Sequence, residues 1–395
     1  MAWNSLSKAE LNGKKVLARF DFNVPLEGQI ITDTTRIDAC IETIQKCLDG
    51  GAKKIVMMSH LGRPKGKVDH NYSLEPVAKY LAEKLKEEVT LTESCSDSGI
   101  KTLLSLPNSK LILLQNLRFH PEEESNSLEF AKSLKSYGDI FVNDAFGTCH
   151  RKHASTYGIV QFFRPEDCFA GPLVEAEVKA LTRILESPKK PFIAILGGAK
   201  VSDKIKIIER LLPQVNHMLI GGAMAYPFLR AKNIDIGNSL CSEQDVTLAK
   251  MILNSPGKEK IKLPIDHVSA ASIDGEAILC NEPSIPEGQI GLDIGERTIR
   301  DFSDVINDAQ TILWNGPMGL FENKSFSAGT FSLASAISDN TKCYSLVGGG
   351  DSVNAVNKSG LASKISHMST GGGASLEFIE EGSLPGINAL KFGVN

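Results

Sequence analysis

The sequence predicts an α/β fold of two parallel-sheet domains joined by one helix, and three observations carry that prediction. Eight apolar runs of strand length recur along the 395 residues without polar alternation, as strands buried on both faces require. Helix-period segments separate many of them, and alternating strand and helix means parallel sheets with crossover helices. One proline-lysine break divides the pattern into halves of similar size, in keeping with about 150 residues per domain.

The first-half runs are Val16–Phe20, Ile55–Met58, Leu111–Leu114 and Ile140–Val142. Between the first two, Arg36–Asp49 sets Ile37, Ile41, Ile44 and Leu48 on one helical face and stops at Gly50-Gly51, a C-cap pair. Glu75–Glu88 repeats that pattern, and so does Leu128–Tyr137, with Ser127 as its N-cap and Gly138 past its end. Leu173–Glu186 carries Val174, Val178, Leu181 and Leu185 at helical spacing before Ser187-Pro-Lys-Lys-Pro191 breaks it. It is the expected joining helix, between a first domain at 1–172 and a second at 187–375. The second-half runs are Phe192–Leu196, Met218–Ile220, Thr311–Trp314 and Tyr344–Val347.

Composition narrows the function classes. Hydrophobic residues at 42% and charged residues at 23% are ordinary for a globular chain and exclude a disordered one. A net charge of −4 argues against nucleic acid as a partner, though not against a local cationic pocket. The eight cysteines form no C-x-x-C and read as free, buried thiols of a reducing compartment. No apolar run reaches the roughly 18 residues of a membrane span, and no signal-like core opens the chain. A soluble cytoplasmic protein without a membrane partner is expected. Glycine is distributed unevenly, with 23 of 34 after residue 185.

Ligands of open parallel sheets bind beyond the carboxyl ends of the strands, so the residues there decide the functional reading. In the first half these are Asp21-Phe-Asn23, Ser59-His-Leu-Gly-Arg63, Gln115-Asn-Leu-Arg118 and Asn143-Asp144 with His150-Arg151. In the second they are Gly197-Gly-Ala-Lys200, Gly221-Gly222, Asn315-Gly-Pro-Met-Gly319 and Gly348-Gly-Gly-Asp351. The first set suits a small anion gripped by arginine forks. The second suits backbone brought close to phosphates. Gly371-Gly-Gly373 precedes a short helix at Ala374–Glu380, whose N–H groups suit an anionic oxygen. Asp351 reads either as a helix cap or as an oxygen ligand for Mg²⁺. Lys200 and Lys204 share a face if a helix has begun there, and would neutralise a phosphate chain. His150-Arg-Lys-His153 lacks a carboxylate partner at metal-site spacing.

Several chemistries are absent. There is no G-x-x-x-x-G-K-[ST], no G-x-G-x-x-G opening a helix after the first strand, and neither H-R-D nor D-F-G. G-x-S-x-G and H-E-x-x-H are missing too.

In order along nearly the whole chain, these segments resemble the phosphoglycerate kinase family. The matching stretches are Arg19-Phe-Asp-Phe-Asn-Val-Pro25, Ser59-His-Leu-Gly-Arg-Pro64, Asn116-Leu-Arg-Phe119 and Val142-Asn-Asp-Ala-Phe-Gly147 with His150-Arg151. They continue through Leu196-Gly-Gly-Ala-Lys-Val201, Trp314-Asn-Gly-Pro-Met-Gly-Leu-Phe-Glu322, Gly348-Gly-Gly-Asp351 and Ser369-Thr-Gly-Gly-Gly-Ala-Ser375. The resemblance implies two Rossmann-like domains with a hinge, a C-terminal segment 376–395 returning to the first domain, and a monomer. It implies reversible Mg²⁺-dependent transfer of the acyl phosphate of 1,3-bisphosphoglycerate to ADP. By match to the family motifs, Asp21, Phe22, Asn23, Arg36, His60, Leu61, Gly62, Arg63, Arg118 and Arg151 would hold 3-phosphoglycerate. Lys204, Glu322, Gly349, Gly350, Asp351 and Ser352 would hold ADP or ATP, with Glu322 at the ribose and Asp351 at the metal. Arg36, Lys200, Gly371, Gly372 and Gly373 would embrace the transferred phosphoryl group. The chain departs from the family pattern at Pro227, at Glu296-Arg297 and at Cys149, whose place beside His150 suggests a thiol-sensitive site.

Overall fold

The computed structural model of the chain describes residues 3–97 and 99–394. It divides into two compact units, Met1–Lys179 with Ser383–Asn395, and Ala180–Gly382.

The strands of the first unit are β1 (Asn4–Ser5), β2 (Lys15–Phe20), the small hairpin β3 (Leu26–Glu27) and β4 (Ile30–Ile31), β5 (Lys54–Met58), β6 (Val89–Leu91), β7 (Leu111–Leu113), β8 (Ile140–Asp144) and β9 (Cys168–Ala170). All but the hairpin form one sheet in the order β1-β9-β8-β2-β5-β7-β6, and every pairing is parallel. Their carboxyl ends therefore share one edge, where Asp21, Ser59 and Asp144 lie. Helices α1 (Thr35–Asp49), α2 (Glu75–Leu85), α3 (Gly99–Ser105), α4 (Pro121–Glu124) and α5 (Leu128–Lys135) are the crossovers. Ile37, Ile44, Val77 and Leu81 of the first two pack on Val16, Ala18, Ile55 and Met57 in one buried cluster. Each such side chain contributes about 1.5–3 kcal/mol when fully buried, so the sheet's position is set mainly by these faces. Ser127 caps α5 as expected, accepting the Phe130 N–H at 3.4 Å. At the end of α1 it is Gly51, not Gly50, that takes the left-handed conformation, at φ +77°.

Helix α6 (Pro172–Glu186) spans the division between the units, which falls at Lys179/Ala180. Its N-terminus is tied to β8. The buried Asp144 carboxylate accepts the Val174 N–H at 3.1 Å and the Thr43 hydroxyl, and a Cβ on Gly171 would strike it. Burial pushes the Asp144 carboxyl up to about 6. Because the folded value lies above the unfolded one, the stability it contributes is full below about pH 4 and falls as pH rises to about 6. Asp144→Ala, which leaves two buried donors without an acceptor, is expected to cost about 2 kcal/mol at pH 5 and less at pH 7. Urea unfolding at the two pH values checks this; an equal loss at both would contradict it.

The second unit holds β10 (Phe192–Leu196), β11 (His217–Ile220), β12 (Ile261–Lys262), β13 (His267–Ala270), β14 (Ile278–Cys280), β15 (Ile290–Ile294), β16 (Thr311–Asn315), β17 (Tyr344–Gly348) and β18 (His367–Met368). Six of them form a parallel sheet in the order β12-β11-β10-β16-β17-β18, and β14-β13-β15 form a separate antiparallel sheet. Helices α7 (Ile205–Leu211), α8 (Ala225–Ala231), α9 (Glu243–Leu253), α10 (Glu296–Asn307), α11 (Ala328–Asp339), α12 (Gly350–Ser359) and α13 (Gly373–Glu381) complete it. Ile193, Ile195, Trp314 and Val347 meet Phe302, Leu333 and Val356 in its core. The chain returns to the first unit at Ser383 rather than at 376, because α13 packs on α7 inside the second unit. Only α14 (Pro385–Phe392) crosses back, where the Gly386 N–H donates to the Cys149 carbonyl at 2.8 Å.

Candidate functional site

At the strand edge of the first unit, loops after β2, β5 and β7 are stitched together by their own polar groups. Phe22 N–H donates to Ser59 Oγ at 2.8 Å, and Gly62 N–H to Asn23 Oδ1 at 2.8 Å. Asn116 clamps Leu61 from both sides, accepting its N–H at 3.2 Å and donating to its carbonyl at 2.7 Å. Arg118 Nη1 donates to the Gly62 carbonyl at 2.9 Å, while its Nε faces Glu124 at 3.2 Å. Arg36, from the first turn of α1, donates to the Asn23 carbonyl at 3.0 Å and to Asp21 Oδ2 at 3.4 Å. His60 Nδ1 lies 3.8 Å from Asp21 Oδ1. Asp21, Phe22, Asn23, Arg36, His60, Leu61, Gly62 and Arg118 thus form one connected array. Arg63 and Arg151 are exposed beside it, and their charges bear on Arg118 and on His150 and His153.

The charge of this array is carried by arginine. Burial pushes the His60 imidazole well below its usual range, with Arg19, Arg118 and Arg36 adding to the shift. His153 is driven down to about 3 by burial and then by Arg19, and His150 is lowered by burial and Arg151. At neutral pH all three rings are uncharged. Cys149 is no thiol-sensitive point: its side chain is wholly buried, and burial pushes the thiol up to about 12, where the reactive thiolate is scarce.

In the second unit the glycine-rich exits of β10, β11 and β16 lie against each other. Gly198 N–H donates to the Pro317 carbonyl at 3.1 Å and Gly222 N–H to the Met318 carbonyl at 3.0 Å. A Cβ on Gly197 would stand 2.0 Å from the Pro317 oxygen, so no other residue permits this approach. Lys204 is not on a helix face with Lys200, since α7 starts only at Ile205; Lys200 stands exposed in the preceding loop. The Lys204 ammonium turns inward, donating to the Asn315 carbonyl at 2.9 Å and to Asn315 Oδ1. Burial pushes it down to about 8 against the opposing pull of Asp351 and Asp203. Asn315 in turn donates to the Gly348 carbonyl at 2.8 Å, and Ser352 Oγ accepts the Gly316 N–H at 2.6 Å. Gly349 sits at φ +90° immediately before α12.

Asp351, in the first turn of α12, is exposed, and the helix has no side-chain cap bond, so the capping role open in the sequence is not taken. Its carboxylate lies close enough to Lys204 to act on its charge. Among the described residues no group of three potential ligands gathers anywhere. One free-standing carboxylate fits Mg²⁺, which takes one or two protein oxygens and draws the rest from phosphate and water. Glu322 stands exposed in a turn after β16, and no hydrogen bond joins it to this network among the described residues. The Gly371–Gly373 turn leads into α13 with Gly372 at φ +53°, and Ser369 Oγ accepts the Gly371 N–H at 3.2 Å. Pro227 lies buried inside α8, and Arg297 N–H donates to Asp266 at 2.8 Å at the start of α10.

Sequence reasoning passed over Asn315 and Asn116 as site residues, along with the fully buried Arg19 and Glu123. Asn315 and Asn116 fall inside strand-exit stretches of the sequence, but only their contacts show that each clamps a site loop. Asp245 was missed as well; it accepts the Ser202 N–H at 2.8 Å and so holds the loop that bears Lys200.

An α/β phosphotransferase built on two parallel sheets is the class these features define: arginine forks at one parallel edge, bare glycine turns around an inward lysine at the other. The sequence model of phosphoglycerate kinase matches residues 6–382. Proteins named phosphoglycerate kinase from Anaeromyxobacter sp. (strain Fw109-5) and Chlorobaculum tepidum are each 47% identical over 99% of this chain and 100% of theirs. The solved structure of phosphoglycerate kinase from Coxiella burnetii superposes with a TM-score of 0.88 at 39% identity, covering 98% of both chains. That from Pyrococcus horikoshii OT3 does so at 0.86 and 32%, covering 99% of both. The chain belongs to the phosphoglycerate kinase family, and is a kinase that transfers phosphate with a carboxyl group as acceptor. No helix of the described residues is long and apolar enough to cross a membrane.

Proposed function

We propose that the enzyme moves the acyl phosphate of 1,3-bisphosphoglycerate to ADP, reversibly and with Mg²⁺, giving 3-phosphoglycerate and ATP. One P–O bond to the carboxyl oxygen breaks, one to the terminal phosphate oxygen of ADP forms, and the leaving group departs as a carboxylate. That carboxylate is ionised at neutral pH, so neither direction needs a general base. Catalysis is then in-line positioning plus neutralisation of charge on the transferring oxygens. The observation that supports this best is the array around Arg36 and Arg118, where neutral histidines leave guanidiniums as the only cations beside Asp21 among the described residues.

In this reading Asp21, Asn23, Arg36, His60, Arg63, Arg118 and Arg151 bind and orient phosphoglycerate, with Phe22, Leu61 and Gly62 shaping the loops. Lys204 and the Gly349–Ser352 turn receive the nucleotide phosphates, Glu322 the ribose, and Asp351 the metal. Bound Mg²⁺ supplies charge neutralisation on the phosphate oxygens. Arg36, Lys200 and the Gly371–Gly373 N–H groups stabilise the group in flight. Donor and acceptor are assigned to different units, so the reaction includes a hinge movement bringing them in line, with Leu173–Glu186 and Ser369–Thr370 as bending points. Excluding water at that moment limits hydrolysis. Eight free cysteines, most of them buried, suit a reducing cytoplasm, and a monomer suffices for the chemistry.

The test is purified protein with MgATP and 3-phosphoglycerate, coupled to NADH oxidation through glyceraldehyde-phosphate dehydrogenase. Turnover with phosphoglycerate and none with acetate is expected, because acetate has no second anionic end for four arginines. Equal turnover with acetate would overturn the substrate assignment.

Lys204 makes a pH prediction. Its ammonium titrates near 8 without ligand, and the neutral amine cannot pair with phosphate, so affinity for MgADP is expected to fall as pH rises from about 7.5 to about 9.5. Calorimetry across that range checks it, and Lys204→Met should abolish the dependence. A flat profile in the unsubstituted protein would remove the lysine from the phosphate site.

A further inference from the structure

Behind the arginine array lies a chain of buried polar groups to which neither the family motifs nor the proposed mechanism gives a role. Glu123, in α4, is wholly buried. Its Oε1 accepts the Ser155 hydroxyl at 2.5 Å and its Oε2 the Ser155 N–H at 3.0 Å. Ser155 Oγ accepts the Arg19 Nε–H at 2.8 Å. Arg19, inside β2 and 1% exposed, turns Nη1 to the Phe20 carbonyl and Nη2 to His60 Nδ1 at 3.2 Å.

Burial raises the Glu123 carboxyl, while Arg19 and the two Ser155 donors pull it back towards the ionised form. With the carboxylate ionised, each bond in the chain has one direction. A guanidinium only donates, and an ionised carboxylate only accepts. The single Ser155 proton therefore goes to Glu123, which leaves Ser155 Oγ to accept from Arg19. At the other end, Arg19 must donate to His60 Nδ1, so that nitrogen carries no proton. Because the buried ring is neutral, its one proton resides on Nε2, an atom with no partner among the described residues. The charged and titratable groups acting on the ring are Arg19 and Asp21 from β2 and its exit, Arg36 from α1, Arg118 after β7, and His153.

We propose that Glu123, Ser155 and Arg19 are positioning residues that lock His60 as the neutral Nε2–H tautomer, so that it presents a hydrogen-bond donor, and no positive charge, to an oxygen of phosphoglycerate. The Nδ1–H tautomer would clash with Arg19 donor to donor and would offer the substrate anion a lone pair instead. Glu123 offsets the charge of Arg19, letting a guanidinium sit inside the sheet. This inference rests on the reading that His60 faces phosphoglycerate.

The tautomer is measured directly in the ligand-free protein. Long-range ¹⁵N–¹H correlation spectra of protein labelled at histidine nitrogen, with His60 assigned by the peaks missing from His60→Gln, are expected to show one Nε2–H pattern. That pattern should not titrate between about pH 5.5 and about pH 8.5. An Nδ1–H pattern, or a doubly protonated ring at pH 6, overturns the proposal. Ser155→Ala, which cuts the tether between Arg19 and Glu123, is expected to raise the KM for 3-phosphoglycerate about 10-fold, with kcat and the nucleotide KM within about two-fold. Its His60 spectrum should show mixed tautomers, and Ser155→Thr, which keeps the hydroxyl, should restore both. An unchanged KM, or a changed KM with an unchanged His60 spectrum, overturns the relay. If the unsubstituted protein shows the Nε2–H pattern but no phosphoglycerate-dependent turnover, the substrate reading fails and the tautomer lock does not.

Discussion

Arg36→Ala is expected to lower kcat about 1,000-fold, in line with the loss of an arginine that stabilises a phosphoryl group in flight, while the Kd for MgADP stays within about two-fold. The guanidinium is held in place before any substrate arrives, by the Asn23 carbonyl at 3.0 Å and by Asp21 at 3.4 Å. Such preorganisation makes it more effective at developing charge than a mobile side chain. Both anchors belong to the loop after β2, so removing the arginine also leaves the buried Asp21 without its ion-pair partner beside an anionic substrate. The KM for 3-phosphoglycerate is therefore expected to rise as well, by roughly 10-fold. Arg36→Lys separates the two contributions: it keeps the charge but not the fork, and should recover KM more than kcat. Steady-state kinetics in both substrates check this. Near-normal turnover in Arg36→Ala would end the role assigned to it.

Lys200→Ala carries the second large effect, a fall in kcat of about 100- to 1,000-fold with the KM for 3-phosphoglycerate unchanged. Lys200 and Lys204 lie in the same loop but in contrasting surroundings. Lys204 is turned inward onto Asn315 and is largely desolvated, whereas Lys200 is exposed. Asp245, which holds the Ser202 N–H at 2.8 Å, fixes the backbone of that loop and leaves the Lys200 side chain in solvent. Among the described residues Lys200 makes no hydrogen bond or ion pair within 4 Å, only a longer-range attraction to Asp245, so little is lost when it meets an oxygen that becomes more negative during transfer. Should Lys200→Ala instead abolish phosphoglycerate binding, the lysine would belong to ground-state recognition.

Much of this architecture was legible in the residues, for an identifiable reason. β10, β16 and β17 are almost wholly buried, so Phe192–Leu196, Thr311–Trp314 and Tyr344–Val347 are largely apolar runs of strand length, interrupted only by Thr311 and Ser345. The antiparallel sheet β13-β14-β15 gave no such signal. His267 and Ser269 are polar yet buried, Ile278 and Leu279 are apolar yet exposed, and the local pattern points the wrong way at each. Start positions were also hard to read, because Lys200 and Lys204 have helical spacing but α7 opens one residue after the second of them. For the site, motif matches found the arginines and glycines but not what holds them. Arg19 sits in a strand where an apolar residue is expected, and it is satisfied by Ser155, 136 residues away in the chain. Asn315 likewise works by joining Lys204 to Gly348 across 111 and 33 residues. No periodicity encodes partnerships of that length; they exist only once the strands are in register.

The division of labour between the two units can be read residue by residue from backbone amide shifts in ¹⁵N-labelled protein, titrated with one substrate at a time. 3-Phosphoglycerate alone should move the amides of Phe22, Asn23, Leu61 and Gly62 and leave the second unit's glycine turns in place. MgADP alone should move Gly198, Gly349, Asp351 and Ser352 and leave the first unit's loops in place. If phosphoglycerate instead moved the glycine turns and left the arginine-lined loops untouched, the assignment of substrates to units, and the transfer mechanism built on it, would be wrong.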